Sequence, residues 1–365
     1  MRLFLFGTLR DPEHLQVVLG RMAETHPGAL PEYQVQWDEA GEFPVLRPEP
    51  GAVTPGLVLE AREEDLLRLD WYEAIFGYGR DAVTLEDGPA EAYLRDREVV
   101  GPLSPWDFDT WSKRWGAIEL GAAREAMGLY PATAPQAVGQ RYPRVMARAD
   151  TELRAAREPA PSDFRQGAGR DGVMDVTSRT THRGFFNLDE ITLTHRRFDG
   201  GEATITREVF VGSDAVLVLP YDPTSDRVVL VEQFRAGPLR RGDAQPWCLE
   251  PVAGLIDAGE EPETTARRET VEEAGLGLSD LVPVPGGYPS PGLASEYFHL
   301  FVGIADLSGY GARTGGLAAE GEDILTHLLS LDDALALLNT GEINVVPLAY
   351  LLTWTAAHRG QLQAG

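Results

Sequence analysis

The sequence predicts a two-domain chain of mixed α+β structure. Three observations lead there. The chain has 365 residues, more than one compact domain ordinarily takes, and 43% of them are apolar. A polar, glycine-containing stretch without periodicity, 159–180, divides it. Beyond that stretch, strand-like and helix-like patterns alternate, which predicts a mixed sheet covered by helices. Domains are therefore expected at 1–158 and 181–365, with 159–180 as a linker.

In the first domain the apolar run 3–6 reads as a strand closed by a tight Gly7-Thr8 turn. Residues 56–60 form another strand, and 63–69 a helix that leads into Trp71-Tyr72-Glu73. A later helix is expected from Ser104, with Pro105 at its first position and Asp107 completing a capping box. Phe108, Trp111 and Trp115 then recur at i, i+3 and i+7. Such a stripe is more readily a packing surface than a ligand platform.

The second domain is richer in strands. Residues 190–196 and 203–210 alternate, and 215–219 and 228–231 are apolar runs separated by turn-forming residues at 221–226. A helix is expected over 261–274, ended by Gly275, then a strand at 297–302 and a helix at 332–338.

Charge and composition exclude several roles. With 32 basic against 57 acidic residues the net charge is −25, so the surface repels nucleic-acid backbones and anionic bilayers, and neither is expected as a partner. Cys248 is the single cysteine, which rules out an internal disulfide and a cysteine zinc cluster. Beside Trp247 and Leu249 it reads as a small core residue. The start, MRLFLFGTLRD, lacks the features of a signal peptide, and no stretch is long and apolar enough to span a bilayer. A cytoplasmic location is expected.

The most informative stretch is 254–276, GLIDAGEEPETTARRETVEEAGL, with seven carboxylates from Asp257 to Glu273. Glu269, Glu272 and Glu273 fall at i, i+3 and i+4 and share one helix face. Like charges so placed destabilise a helix, so something must offset them. Arg268 neutralises one, and hard divalent cations, which prefer several carboxylate oxygens, neutralise the rest. A solvated acidic face is the commoner meaning of such a run. It does not account for Gly254, six residues before Glu260, or for Arg268-Glu269, eight residues after it.

The series Gly254, Glu260, Arg268, Glu269, Glu272, Glu273, Gly275 and Leu276 resembles the signature box of the Nudix hydrolases, with Thr270 where an aliphatic residue is commoner. The resemblance implies an α/β/α sandwich with a mixed sheet and hydrolysis of a nucleoside diphosphate linked to another group. It implies Mg²⁺ as the cofactor, with Mn²⁺ as an alternative, held chiefly by Glu269 and Glu273. Glu272 and Glu260 would assist, the carbonyl of Ala253 would add a ligand, and Arg268 would orient the glutamates.

Flanking segments are similar to those of ADP-ribose pyrophosphatases: Leu230-Val231-Glu232-Gln233-Phe234-Arg235 and Leu249-Glu250-Pro251-Val252-Ala253-Gly254 before the box, and Ser290-Pro291-Gly292 with Ser295-Glu296 and Glu320-Gly321-Glu322-Asp323-Ile324 after it. By that resemblance Arg235 contacts the diphosphate, Glu296 binds substrate, Glu320 is the general base and Glu322 a further metal ligand. The substrate it implies is ADP-ribose, cleaved to AMP and ribose 5-phosphate. ADP-sugars, GDP-mannose and a nucleotide-sensing module without catalysis stay open. Residues 185–210 resemble the dimerising sheet of that subfamily, which implies a homodimer through this domain.

In the first domain, Phe6-Gly7-Thr8-Leu9, Leu69-Asp70-Trp71-Tyr72-Glu73, Tyr78 and Arg80 resemble the gamma-glutamylcyclotransferase-like (AIG2-like) family, with Phe6 in place of the usual tyrosine. The implied fold is a small mixed barrel with flanking helices. Gly7, Thr8 and Leu9 would hold a glutamyl group and Glu73 would shuttle protons, its pKa raised by neighbouring aromatics. The domain is then an active cyclotransferase or an inactive relative. The pairing of the two domains is similar in arrangement to tellurite-resistance Nudix proteins, although no residue reads as an oxyanion ligand.

Overall fold

The computed structural model describes residues 1–38, 41, 43–95, 104–317 and 321–364. They fall into two units, Met1–Pro159 and Ala160–Gly365.

The first unit is built on five strands: β1 (Arg2–Leu5), β2 (Thr25–Trp37), β3 (Pro44–Glu60), β4 (Tyr78–Leu85) and β5 (Gly88–Arg95). Their order is β2-β3-β1-β5-β4. β1 is central, antiparallel to β3 and parallel to β5, and Leu3, Phe4 and Leu5 are all buried because both faces are covered. Among the described residues the outer strands meet through a hydrogen bond from Glu86 N–H, just past β4, to Ala29 O at 3.2 Å, with no ladder between them. The sheet is thus curled but open, which corrects the expectation of a barrel.

Helices α1 (Pro12–Leu19), α2 (Glu63–Ala74), α3 (Phe108–Trp111), α4 (Ala117–Met127), α5 (Pro135–Gly139) and α6 (Tyr142–Arg157) complete the unit. α2 continues through Ala74, so Trp71, Tyr72 and Glu73 are helical. The helix expected from Ser104 begins later. Trp37 N–H bonds to Ser104 O and Trp106 N–H to Val35 O, each at 3.0 Å, which holds 104–106 extended along β2. Asp107 is the cap instead, accepting from Thr110 N–H at 2.7 Å. Trp111 and Trp115 are core residues, as the stripe implied.

The second unit opens with a separate antiparallel sheet of β6 (Val173–Arg183), β7 (Asn187–Arg196) and β8 (Glu202–Val211). β6 starts inside the stretch 159–180. The main sheet contains β9 (Ala215–Asp222), β10 (Arg227–Phe234), β11 (Trp247–Glu250), β12 (Val252–Leu255), β13 (Asp280–Gly287), β14 (Phe298–Ile304), β15 (Thr314–Gly315) and β16 (Ile324–Ser330), with the short helix α7 (Ala236–Arg241) after β10. The order is β13-β14-β9-β10-β16-β15. Among the described strands of this sheet only β14 and β9 run parallel.

One irregularity positions the site. β9 and β10 pair only beside their hairpin, at Tyr221–Val228 and Asp222–Arg227, and then diverge. β11 fills the gap on the β10 side and β12 on the β9 side. Pro251, which lacks an amide hydrogen, stands where the chain changes partner.

Alternation along β9 and β10 sorts the core. Val216, Val218, Val229 and Val231 pack with Ala266 and Ala274 of α8 (Pro262–Ala274). Leu217, Leu219 and Leu230 pack on the opposite face with Leu331 of α9 (Leu331–Thr340) and Leu351 of α10 (Val346–Leu362). This is the expected α/β/α sandwich. Among the described residues no helix is long and apolar enough to cross a membrane.

Candidate active site

β12 and the helix that follows it, α8, approach more closely than side chains normally permit. A Cβ on Gly254 would stand 2.0 Å from Cδ of Glu269. Glycine here is therefore what admits the Glu269 carboxyl against the strand. The helix stops at Gly275, whose φ of +63° is the left-handed cap, with its N–H bonded to Val271 O at 2.9 Å.

Arg268 organises the acids. Its Nη1 donates to Glu269 Oε1 at 2.7 Å and to Glu272 Oε2 at 3.1 Å, and its Nη2 to Glu260 Oε2 at 3.0 Å. Thr265 Oγ1 also donates to Glu260, at 2.7 Å. Burial works against the charge of Glu260, but Arg268 and Thr265 outweigh it and hold the carboxyl below its usual range.

Glu273 lies beneath this cluster, 1% exposed, and accepts from Ala253 N–H at 3.1 Å. Burial pushes its carboxyl up to about 8, against that hydrogen bond and with added repulsion from Glu269 and Glu322. Glu269 is pushed up to about 7, again by burial, with Arg268 opposing and Glu272 and Glu322 adding. Glu322 comes from the loop before β16 and is fixed by accepting Leu317 N–H at 2.9 Å. Gly316 N–H bonds to Glu272 O at 3.2 Å, which ties this loop to the end of α8.

At the neighbouring edge Arg235, at the end of β10, donates from Nε to Glu250 Oε2 at 2.8 Å and keeps 43% of its side chain exposed. Its charge reaches both Glu273 and Glu296. Glu296 is pushed up to about 7 by burial and by Asp214, with Arg235 opposing.

The structure thus brings together Glu269, Glu273, Glu322 and Arg268, with Glu272 and Glu260 on the guanidinium and Arg235 and Glu296 close by. Ala253 is present through its N–H on Glu273. Glu320 lies outside the described residues. The partner of Arg235, Glu250, went unassigned from sequence although it stands in the segment before the box. As a donor set the glutamates fit a hard divalent cation: oxygen ligands, desolvated, each disfavouring its neighbours' charge. Among the described residues no three acidic, histidine or cysteine side chains already converge on one ligating point. Arg268 supplies the positive charge there.

In the first unit Gly7, Thr8, Leu9 and Glu73, grouped from sequence, line one cavity of about 40 Å³. Burial pushes the Glu73 carboxyl up to about 8. Asp70 is held by Arg80 at 2.6 Å and by Tyr93 Oη at 2.8 Å.

Comparison with known proteins agrees with this geometry. Residues 213–349 match the NUDIX domain model. Over 196 residues the chain is 38% identical to ADP-ribose pyrophosphatase of Escherichia coli (strain K12), covering 93% of that protein and 53% of this chain. The chain belongs to the Nudix family. Its Nudix unit is also 37% identical over 201 residues to ADP-ribose pyrophosphatase of Haemophilus influenzae (strain ATCC 51907 / DSM 11121 / KW20 / Rd), 92% of that protein and 54% of this one. GDP-mannose pyrophosphatase of Escherichia coli O9:H4 (strain HS) is 34% identical over 173 residues, 89% of its length and 46% of this chain. Residues 3–113 match the model described as gamma-glutamyl cyclotransferase, AIG2-like. The chain is thus a Nudix hydrolase fused to an AIG2-like domain.

Gly254→Ala should lower the hydrolytic rate of the Nudix unit by roughly 100-fold, because the new methyl displaces the Glu269 carboxyl by more than about 1 Å. A steady-state rate within about twofold of the parent would show that the close approach is not needed.

The raised carboxyls also set a pH dependence. Glu269 and Glu273 have an ordinary value of 4.5 and ionise in the folded chain at about 7 and about 8. Folded values above unfolded ones mean stability that is full at low pH and lost as pH rises through the folded values. Without divalent cations the melting temperature should fall between about pH 5 and 8, and Glu273→Gln should make the fall shallower. Added Mg²⁺ should also reduce it. An unchanged slope in Glu273→Gln would place the titrating groups elsewhere.

Proposed function

We propose that the Nudix unit hydrolyses ADP-ribose to AMP and ribose 5-phosphate with Mg²⁺, or Mn²⁺ in its place. The observation that carries this reading is the position of Arg235, whose charge reaches both Glu273 of the box and Glu296 beyond it. A diphosphate oxygen held by the exposed guanidinium lies next to the buried acids. The relatives named for ADP-ribose support the choice of substrate.

The residues divide the work. Glu250 fixes the guanidinium of Arg235, so that little side-chain entropy is lost when it binds phosphate oxygens. Glu269 and Glu273, once ionised, would hold the cation with Glu322, and Glu272 would assist. When bound, the divalent cation neutralises charge on the phosphate oxygens and acidifies the attacking water. Arg268 and Glu260 keep the glutamates oriented. Glu296, half-buried beside Arg235, is assigned to substrate binding. Removal of the water proton is assigned to Glu320, on family resemblance alone.

A second substrate, GDP-mannose, is favoured by the relative named for it. The AIG2-like unit holds Glu73 in a cavity with Gly7, Thr8 and Leu9, which supports either a gamma-glutamyl cyclotransferase or an inactive relative. A homodimer through the Nudix unit is supported by apolar side chains at and beside its separate sheet, where Phe185, Phe186 and Phe210 are 56%, 44% and 43% exposed.

Purified chain with Mg²⁺ should release AMP from ADP-ribose faster than it releases GMP from GDP-mannose. Glu273→Gln should lose on the order of 10³-fold in rate. A Glu273→Gln rate near that of the parent would remove Glu273 from the metal site, and preference for GDP-mannose would replace the first substrate by the second. Light scattering of the full chain should give twice the mass of one chain, and a monomer at micromolar concentration would exclude the dimer.

A further inference from the structure

The main sheet of the Nudix unit has a second concave site on the face away from the box. Side chains alternate along β10, so Arg235 shares a face with Val229 and Val231, toward α8, whereas Glu232 shares the other with Leu230, toward α9. β11 divides in the same way. Glu250 reaches Arg235 on the box face, while Leu249 and Trp247, paired with Glu232 and Phe234, lie on the opposite one. Glu232, Trp247, Leu249 and His327 line a cavity of about 550 Å³, together with Leu337 of α9 and Glu342 of the connection that follows it. That volume is typical of small-molecule sites.

The ionisable groups of the cavity are of one kind. Among the described residues two carboxylates and one histidine line it, and no arginine or lysine does. His327 Nε2 meets Glu232 Oε2 at 2.8 Å, and among the described residues Oε1 of Glu232 has no hydrogen-bond partner. The two side chains stay 32% and 31% exposed, so a ligand can reach them. Trp247 is half-exposed, and its ring packs edge-to-face on Phe234 at 5.5 Å.

We propose that this cavity binds an aliphatic diamine or polyamine, with one ammonium at Glu232 on the sheet, another at Glu342 beyond α9, and the methylene chain along Leu249 and Leu337. An ammonium carries three donors and no acceptor, so it needs several oxygens. The carboxylates supply charge-assisted bonds, and the side-chain amide oxygens of Gln245 and Asn344, in the same lining, supply more acceptors. Tryptophan is the aromatic ring that most favours a cation. A phosphate or carboxylate entering the same space meets two acids and no arginine or lysine. The cavity is therefore not a second place for a nucleoside diphosphate or for AMP. The inference does not depend on which substrate the box cleaves.

Calorimetric titration of the full chain with 1,5-diaminopentane dihydrochloride tests it, at physiological salt, with and without saturating Mg²⁺. The salt screens the acidic surface, and Mg²⁺ competes at the box acids. Saturable binding of one diamine per chain is expected in both conditions, with the dianion pimelate at least about tenfold weaker. Pentylamine, which has one charged head, should also bind at least about tenfold more weakly than the diamine. Glu232→Gln and Glu342→Gln should each weaken the diamine by about tenfold or more, and Trp247→Ala by about threefold. Pimelate binding as tightly as the diamine, unchanged affinity in both Gln variants, or diamine binding that saturating Mg²⁺ abolishes, overturns the proposal. If Glu232→Gln fails to fold, Glu342→Gln and the comparison of the two ions on the unaltered chain decide it.

Discussion

Burying two glutamates of one helix against one strand is the constraint from which the geometry of the Nudix unit follows. Glu269 and Glu273 sit between α8 and β12, where each disfavours the other's charge. Such a pair persists only if the backbone leaves room, a donor meets the deeper acid and a cation meets the shallower one. Gly254 leaves the room, Ala253 N–H is the donor and Arg268 is the cation. The divergence of β9 and β10 serves the same end. Without the gap between them, β12 would have no place in the sheet from which to present its backbone to α8.

Much of this was legible in the sequence because the constraint is local. A glycine, three glutamates, an arginine and a capping glycine within 254–276 fix both the helix and its partner strand. Arg235 and Glu296 were legible only as part of longer flanking segments, since folding alone brings them to the box. Nothing in the sequence around Glu250 marks it as the side chain that orients Arg235, because the two are fifteen residues apart and meet only across paired strands.

The first unit was harder to read, for reasons that differ by element. The segment at 104–106 carries strong helix-start signals, but backbone hydrogen bonds to β2 hold it extended, and tertiary pairing overrides local preference. Openness of the sheet depends on whether two edge strands meet, which no alternation pattern encodes. A single acid among alanines, as Glu119 is, carries no spacing signal. Its burial becomes evident only when Tyr142 and Tyr72 are seen around it. The two units also handle buried acid differently. In one, repulsion among carboxylates is met by a guanidinium, while in the other Glu73 shares a cavity with Glu119, which accepts from Tyr142.

Pro251 has a further consequence for how this protein tolerates change in length. The four residues from Val252 to Leu255 are tied by register to Leu255–Ala215 and Val252–Val218, while the four before Pro251 are tied to β10. Both anchors are strand pairings, in which a slip of one residue turns every side chain to the other face. One residue gained or lost between Glu250 and Gly254 would therefore point the strand's bare position away from α8 and a side chain toward it. The largely exposed connection at 242–245, ahead of both anchors, carries no such phase. Insertions are absorbed there as loop, whereas from Trp247 to the end of α8 the chain behaves as a ruler with fixed marks.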